Sequence, residues 1–320
     1  MASLSRRSIA AISVAALLAF VAVVAFVFSI LVTPADSNPF AGQTLYVNPD
    51  STAAQAAASS SGEEQAAAAR IAAVATGIWI TPEQHDTRSV ASFVRGVVAD
   101  AATALALPVL VVYGIPDRDC STGLSSGGTT SADYPDWVGE IAAGIGEYPA
   151  VVILEPDSLA SIPSCDNEQE RVGELSAAIE ALGATPASIY LDGGHSSWLS
   201  AADQAALLTE AGVAGVRGFA SNVANYNTTA DELAYDEQVS ELVGGSHFVI
   251  DTSRNGNGSN GEWCNPSGRA LGEEPAATDD VDGHDANLWV KVPGESDGTC
   301  NGGPEAGQWW AEMALELTEG

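Results

Sequence analysis

Carboxylates and tryptophans gather in this 320-residue sequence where short apolar runs give way to polar residues. In chain order they are Trp79; Tyr113 with Asp117-Arg118-Asp119-Cys120; Glu155-Pro156-Asp157; Asp192 with His195 and Trp198; Asn222 and Asn225; Asp251 with Arg254; and Lys291 with Glu295 and Asp297. Two neighbouring carboxyl groups can share the work of cleavage by water, one giving a proton to the leaving oxygen and the other handling the water. Indole faces offer flat apolar platforms with polar edges, which suits stacking on pyranose rings. The ring of residues points to a sugar site. Taken singly, each acid reads as a helix cap or ion-pair partner and each tryptophan as core. The recurrence at one strand end after another carries the inference. There is no Gly-x-Ser-x-Gly elbow, no Walker loop and no His pair at metal-ligand spacing, so no metal site and no cofactor are expected. Of the four histidines, His85, His247 and His284 read as structural or surface residues; only His195 stands at a strand end.

These residues need elements to position them. Seven apolar runs have strand character: 77–81, 108–115, 150–154, 188–192, 216–221, 247–251 and 286–292. Helical spacing fills 87–105, 134–146, 168–182, 201–211, 231–242 and 305–317, and the alanine-rich stretch 50–70 reads as a first helix interrupted near Ser59 to Gly62. Strand–helix alternation repeated this often predicts a parallel sheet covered by helices. Seven strands are one short of the eight-stranded barrel. The expected fold is therefore α/β, a distorted seven-stranded parallel (β/α) barrel forming a single catalytic domain over 36–320.

Composition narrows the partners. The formal net charge is −31, from 42 acidic and 11 basic residues, and Lys291 is the only lysine. No basic stripe exists to neutralise phosphates, so nucleic acid is excluded. The hydrophobic fraction of 46% argues against disorder. Arg6 and Arg7 precede an apolar run from Ile9 to Val32, followed by Thr33-Pro34-Ala35. Residues 1–35 read as a secretory signal peptide cut near Ala35, or alternatively as an N-terminal membrane anchor, the run being long enough to span a bilayer. Both place the domain outside the cytoplasm. Cys120, Cys165, Cys264 and Cys300 are an even set in an exported chain, which favours disulfides with three connectivities open. Zinc is the weaker alternative without a Cys-x-x-Cys pair.

Two segments are more specific. Residues 111–120, VVYGIPDRDC, and 153–160, ILEPDSLA, resemble the two signatures of glycoside hydrolase family 6, the cellulases. Segments 190–195, 221–226, 263–265, 289–291 and 293–298 are similar to further family segments in the same order. The resemblance implies a distorted seven-stranded barrel that cleaves β-1,4-glucan with inversion. It implies Asp157 as the general acid, and Asp119 as the neighbouring carboxylate that raises the pKa of Asp157 and receives the water's proton through a second water. Ser125 matches the serine that positions that water, and Tyr113 the tyrosine beside the distorted sugar. Asp297 matches the residue long proposed as a direct base, with Arg254 and Lys291 beside it. Such pairing lowers basicity, which favours Asp119 with Ser125. Trp79, Trp198 and Trp263 match stacking positions. Asp192, His195, Asn222, Asn225, Lys291 and Glu295 fall in the substrate-contact set, and Arg118 in a supporting position. The implied cysteine pairing is Cys120 with Cys165 and Cys264 with Cys300.

The loops within 120–165 and 264–300 look short, as in family members with open clefts, so endo-action is expected, with a cellobiohydrolase as the alternative. The partner is β-1,4-glucan. The protein is expected to be a secreted monomer without a separate carbohydrate-binding module. A non-catalytic glucan-binding protein would lack one of Asp157, Asp119 and Ser125, and all three are present. A carboxylate–Mg²⁺ enzyme acting on phosphates fits poorly with tryptophans and a strongly acidic chain.

Overall fold

The first strand, β1 (Ile78–Ile80), lies under the chain that follows the last parallel strand: Gly77 N–H donates to Trp289 O at 2.8 Å, and Trp79 Nε1 to Val290 O at 2.9 Å. A Cβ on Gly77 would lie 2.3 Å from Val290 O, so only glycine fits this seam. The computed structural model describes residues 37–120, 122–278 and 280–320. The leader and its proposed processing site lie outside these. Residues 37–41 form a turn with Phe40 N–H on Asn38 Oδ1, and 42–320 form the main unit, considered by itself from here on.

Between β1 and the seam run α3 (Val90–Thr103), β2 (Val109–Val112), α4 (Tyr134–Ile145), β3 (Val151–Leu154), α5 (Ile162–Cys165), α6 (Glu168–Leu182) and β4 (Ser188–Asp192). Then come α7 (Ala201–Ala211), β5 (Gly218–Ser221), α8 (Thr229–Leu242), β6 (His247–Asp251), β7 (Ala276–Ala277) and β8 (His284–Leu288). Two helices precede β1, α1 (Thr52–Ser59) and α2 (Gly62–Ala72), and α9 (Ala311–Glu319) ends the chain. The break between α1 and α2 falls where the sequence predicts it. Ser51 caps α1 with its side chain on Ala54 N–H.

The sheet order is β1-β2-β3-β4-β5-β6-β8-β7, parallel throughout except for β7. The expected seven strands are all present. The eighth described strand is a two-residue antiparallel addition, and its exposed Ala276 and Ala277 carry no apolar alternation. The last parallel strand also begins and ends earlier than the 286–292 run. His284 and Asp285 enter the ladder, and Trp289 to Val292 form the seam. The last helix starts at Ala311 rather than Glu305, because Trp309 bridges to Glu295 and Trp310 N–H bonds Gly294 O.

Strand residues alternate sides. Leu110, Val112, Val152, Leu154, Ile189, Leu191, Phe219, Phe248 and Ile250 pack outward against Val94 and Val98 of α3, Trp137 and Ile141 of α4, Leu175 and Leu182 of α6, Leu208 of α7 and Val239 of α8. Each fully buried side chain of this size contributes about 1.5–3 kcal/mol. The helices thereby clamp the strands in register and present the strand C-terminal ends on one side.

Candidate active site

The chain leaves β2, β3 and β5 by an unusual backbone step. Asp117 and Asp119, Glu155 and Asp157, and Asn222 and Ala224 all have φ between 50° and 66°. Left-handed non-glycine residues of this kind cost about 1–3 kcal/mol each and persist where the surroundings over-determine them. Here buried acids do so. Glu155, fully buried, accepts Gly114 N–H, Ile115 N–H and the Tyr134 hydroxyl at 2.9–3.0 Å, which ties the end of β3 to the end of β2. Burial pushes its carboxyl up to about 7 while these donors pull the other way. Asp251 plays the same part for β5, β6 and the seam, accepting the N–H groups of Ala224, Ser253, Val290 and Lys291.

Asp157 stands on this scaffold. Its N–H donates to Asp192 Oδ1 at 3.0 Å, which also takes Gly194 N–H at 3.0 Å. Burial first, then the negative charges of Asp119 and Asp297, raise Asp157 to about 7, with Lys291 opposing. Asp192 is itself raised well above the carboxylate range, by burial and then by Asp157. Asp119 lies in the loop after β2, where Thr122 Oγ1 at 2.6 Å and Ser125 N–H at 2.7 Å donate to its carboxylate. Arg118 holds that loop: its guanidinium donates to Ser125 O and Tyr113 O, lies 3.3 Å from Glu83 Oε1, and its own N–H bonds Gly127 O. It also stacks 4.4 Å over the Tyr113 ring, whose edge meets Trp79 at 5.1 Å. Burial and Asp157 raise the Tyr113 phenol, so it stays protonated. The Cys120–Cys165 disulfide anchors the loop's far side, and Cys264–Cys300 pairs the other two cysteines, the implied sequential connectivity.

Asp297 is differently placed. Arg254 Nη1 reaches its two oxygens at 2.9 and 3.1 Å, the Tyr226 hydroxyl at 3.0 Å and Asn265 N–H at 3.0 Å, with Lys291 Nζ 3.8 Å away. Its lone pairs are committed to donors. Lys291 Nζ also donates to Ser296 O at 3.3 Å and lies 5.8 Å from the Trp79 ring centroid. Glu295 accepts Thr52 Oγ1 at 2.7 Å, and burial raises its pKa.

In the segment after β4, Ser197 N–H and Asn227 Nδ2 converge on His195 Nδ1 at 3.2 and 2.9 Å, and Trp198 lies 5.4 Å from the imidazole. Burial lowers His195 to about 4. The ring is therefore neutral, with its proton on Nε2 as a donor. Trp263 is 46% exposed. Asn225 donates to Val223 O and keeps partial exposure. Asn222 is fully buried: its amide donates to Asn227 O and Asp251 O and accepts Asn227 N–H. That geometry gives Asn222 a scaffold place rather than a surface facing the cleft. His85 stacks on Phe93, His247 faces Arg217 and Asp285, and His284 bonds Asp280.

Glu155, Asp251, Tyr226, Asn265 and Glu83 hold other residues by long-range hydrogen bonds. Glu155 and Asp251 stand at strand ends, and Tyr226 and Asn265 lie in recognisable segments, but their holding roles are fixed only by the fold, and Glu83 carries no local signal.

The family model described as Glycosyl hydrolases family 6 matches residues 40–320. Endoglucanase A of Cellulomonas fimi is 47% identical over 275 residues, which cover 85% of this chain and 60% of that protein. The chain therefore spans about 60% of that relative's length. The endoglucanase Cel6 of Mycobacterium tuberculosis, solved with methyl-cellobiosyl-4-deoxy-4-thio-β-D-cellobioside, superposes with a TM-score of 0.84 at 42% identity, covering 88% of this chain and 99% of that one. The catalytic core of the cellobiohydrolase Cel6A from Chaetomium thermophilum gives 0.77 at 28% identity, covering 88% and 98%.

Proposed function

Because the chain belongs to glycosyl hydrolases family 6, we propose that it hydrolyses β-1,4-glucosidic bonds inside cellulose or related β-glucans, with inversion at the anomeric carbon. Asp157 is the general acid. Its carboxyl, raised to about 7, holds a proton near neutrality and can give it to the glycosidic oxygen. Asp119 and Ser125 activate water on the opposite face of the sugar. Asp119 takes the water's proton through a second water, and its negative charge keeps Asp157 protonated between turnovers. Inverting enzymes need room for water between their two carboxyl groups, and Asp119 sits on a separate loop, hydrogen-bonded only by its own neighbours among the described residues.

Asp297 serves as an anchor. A carboxylate already held by donors from Arg254, Tyr226 and Asn265 is poorly placed to turn an oxygen toward water. Its role is to hold Lys291 beside the sugar, with Arg254 buried behind it. Trp79, Trp198 and Trp263 stack on glucosyl rings, and His195 Nε2–H, Asn225, Lys291 and Glu295 contact hydroxyls. Asp192 fixes the backbone of Asp157. Endo-action rests on the short loops, on the exposure of Trp263 and on the likeness to endoglucanases. A roofed cellobiohydrolase site is the second reading, supported by the Chaetomium likeness. The leader and the two disulfides support secretion.

The observation that carries the reading is the placement of Asp157 and Asp119 in the segments that follow the neighbouring strands β3 and β2, close enough for the charge of Asp119 to act on Asp157. On soluble carboxymethyl-cellulose, viscosity should drop early relative to the reducing ends released, EDTA should have no effect, and Asp157→Ala should remove cleavage. Undiminished hydrolysis by Asp157→Ala overturns the acid assignment. Nearly pure cellobiose with little loss of viscosity overturns endo-action.

A further inference from the structure

The loop between β4 and α7, residues 193–200, carries His195 and Trp198. Besides Gly193 N–H on Ala220 O and Gly194 N–H on Asp192 Oδ1 at its start, three sets of bonds tie it to the rest of the fold. Asn222 N–H donates to Gly194 O at 2.8 Å. Asn227 pairs with His195 Nδ1 and with Ser197 Oγ. The third is an acid from a distant helix. Glu232, in the first turn of α8, accepts Ser196 Oγ at 2.6 Å and Ser196 N–H at 3.1 and 3.2 Å.

Glu232 is fully buried, a costly place for a carboxyl unless its oxygens are used. The groups facing it are Ser196 of the loop, Asn227 and Ser221 from β5 and the segment after it, and Asp236 on its own helix. Tyr235 lies within electrostatic reach of Glu232, Asp192 within reach of Tyr235 and Asp236, and no arginine or lysine is among these neighbours. A structural acid in a core is normally paired with a cation. Here the compensation comes chiefly from Ser196, one residue after His195 and two before Trp198. Burial raises Glu232, and the N–H and O–H of Ser196 pull it back.

We propose that Glu232 is a positioning residue that fixes the His195–Trp198 wall of the cleft, and so sets glucan affinity rather than the rate of bond cleavage. It rests on the glucanase reading above. Asp157 and Asp119 hang from β3 and β2, held by Glu155, Asp192 and Arg118, none of which lies on α8. Loss of the Glu232 clamp therefore frees one wall and leaves the acid in place.

The test is a set of three variants, Glu232→Ala, Glu232→Gln and Ser196→Ala, measured with wild type on soluble cello-oligosaccharides. Glu232→Ala should raise KM about tenfold, the equivalent of about 1.4 kcal/mol, with kcat within about twofold. Glu232→Gln keeps one acceptor oxygen and should recover most of the affinity. Amide hydrogen exchange at 195–198 should quicken in Glu232→Ala and stay near wild type in Glu232→Gln. Should Glu232→Ala fail to fold, Ser196→Ala removes the hydroxyl donor from the other side and gives the same readouts. An unchanged KM with unchanged exchange overturns the inference. So does a kcat loss that tracks lowered stability while KM stays put, since that is a purely structural role. If wild type cleaves no β-glucan, the glucanase reading fails, and exchange at 195–198 still decides whether Glu232 holds the loop.

Discussion

Asp297→Asn separates an anchor from a base. In the native protein the carboxylate takes Arg254 Nη1 on both oxygens, the Tyr226 hydroxyl and Asn265 N–H. An amide keeps one acceptor oxygen and removes the charge. Arg254, 0% exposed, then has no counter-ion on Nη1. Breaking a buried ion pair on one side costs about 3–5 kcal/mol. At about 2–4 °C of Tm per kcal/mol for a domain of this size, the midpoint should fall by about 6–20 °C. Chemistry should respond less. Removing a general base costs about 10²–10⁴-fold, whereas a displaced anchor should cost about tenfold or less, or 1.4 kcal/mol. The assay pairs thermal unfolding with kcat/KM on a soluble cello-oligosaccharide, at a temperature where the variant is fully folded. A wild-type Tm together with a loss beyond a hundredfold, restored by added azide in Asp297→Ala, would refute the reasoning and make Asp297 the base.

Asp119→Asn removes a negative charge that keeps Asp157 protonated. The pKa of Asp157 should fall, so the basic limb of the kcat/KM profile should move to lower pH, and the rate should drop as water activation is lost; a basic limb that stays put counts against the coupling. Replacing Cys120 and Cys165 by serine opens a closure of 45 residues, worth about 4 kcal/mol in the chain-entropy model. Urea unfolding should show a loss of that order, and activity should fall as the loop holding Asp119 and Ser125 loosens. Little change in either would mean Arg118 alone fixes the loop.

Much of this was written in the local sequence. The strands covered by helices on one side are continuous apolar runs, and four-residue blocks such as Val109–Val112 and Val151–Leu154 are hard to misread. β7 was invisible because two exposed alanines obey no period. The run over 286–292 pointed past the true strand, since the seam needs apolar residues as much as the ladder does. Asp119, Asp157 and Lys291 were legible because they lie in dense motifs. Glu155, Asp251 and Glu232 were not given roles, because an acid that accepts backbone N–H groups from another strand looks like any surface acid until the strands are placed. Asn222 shows the converse: a strand-end polar residue can turn entirely inward.

The seam between β1 and the chain after β8 bears on solubility at high concentration. A sheet that stops short of full closure keeps two edges, and an exposed edge is a template on which a second chain can add a strand. One edge here is three residues long and already bonded at Gly77 and Trp79 to the 289–290 segment. The other is the two-residue β7. Neither offers enough free backbone for intermolecular pairing, and a net charge of −31 adds mutual repulsion between copies. The sheet thus stops short of full closure without leaving an edge open to fibrillar assembly.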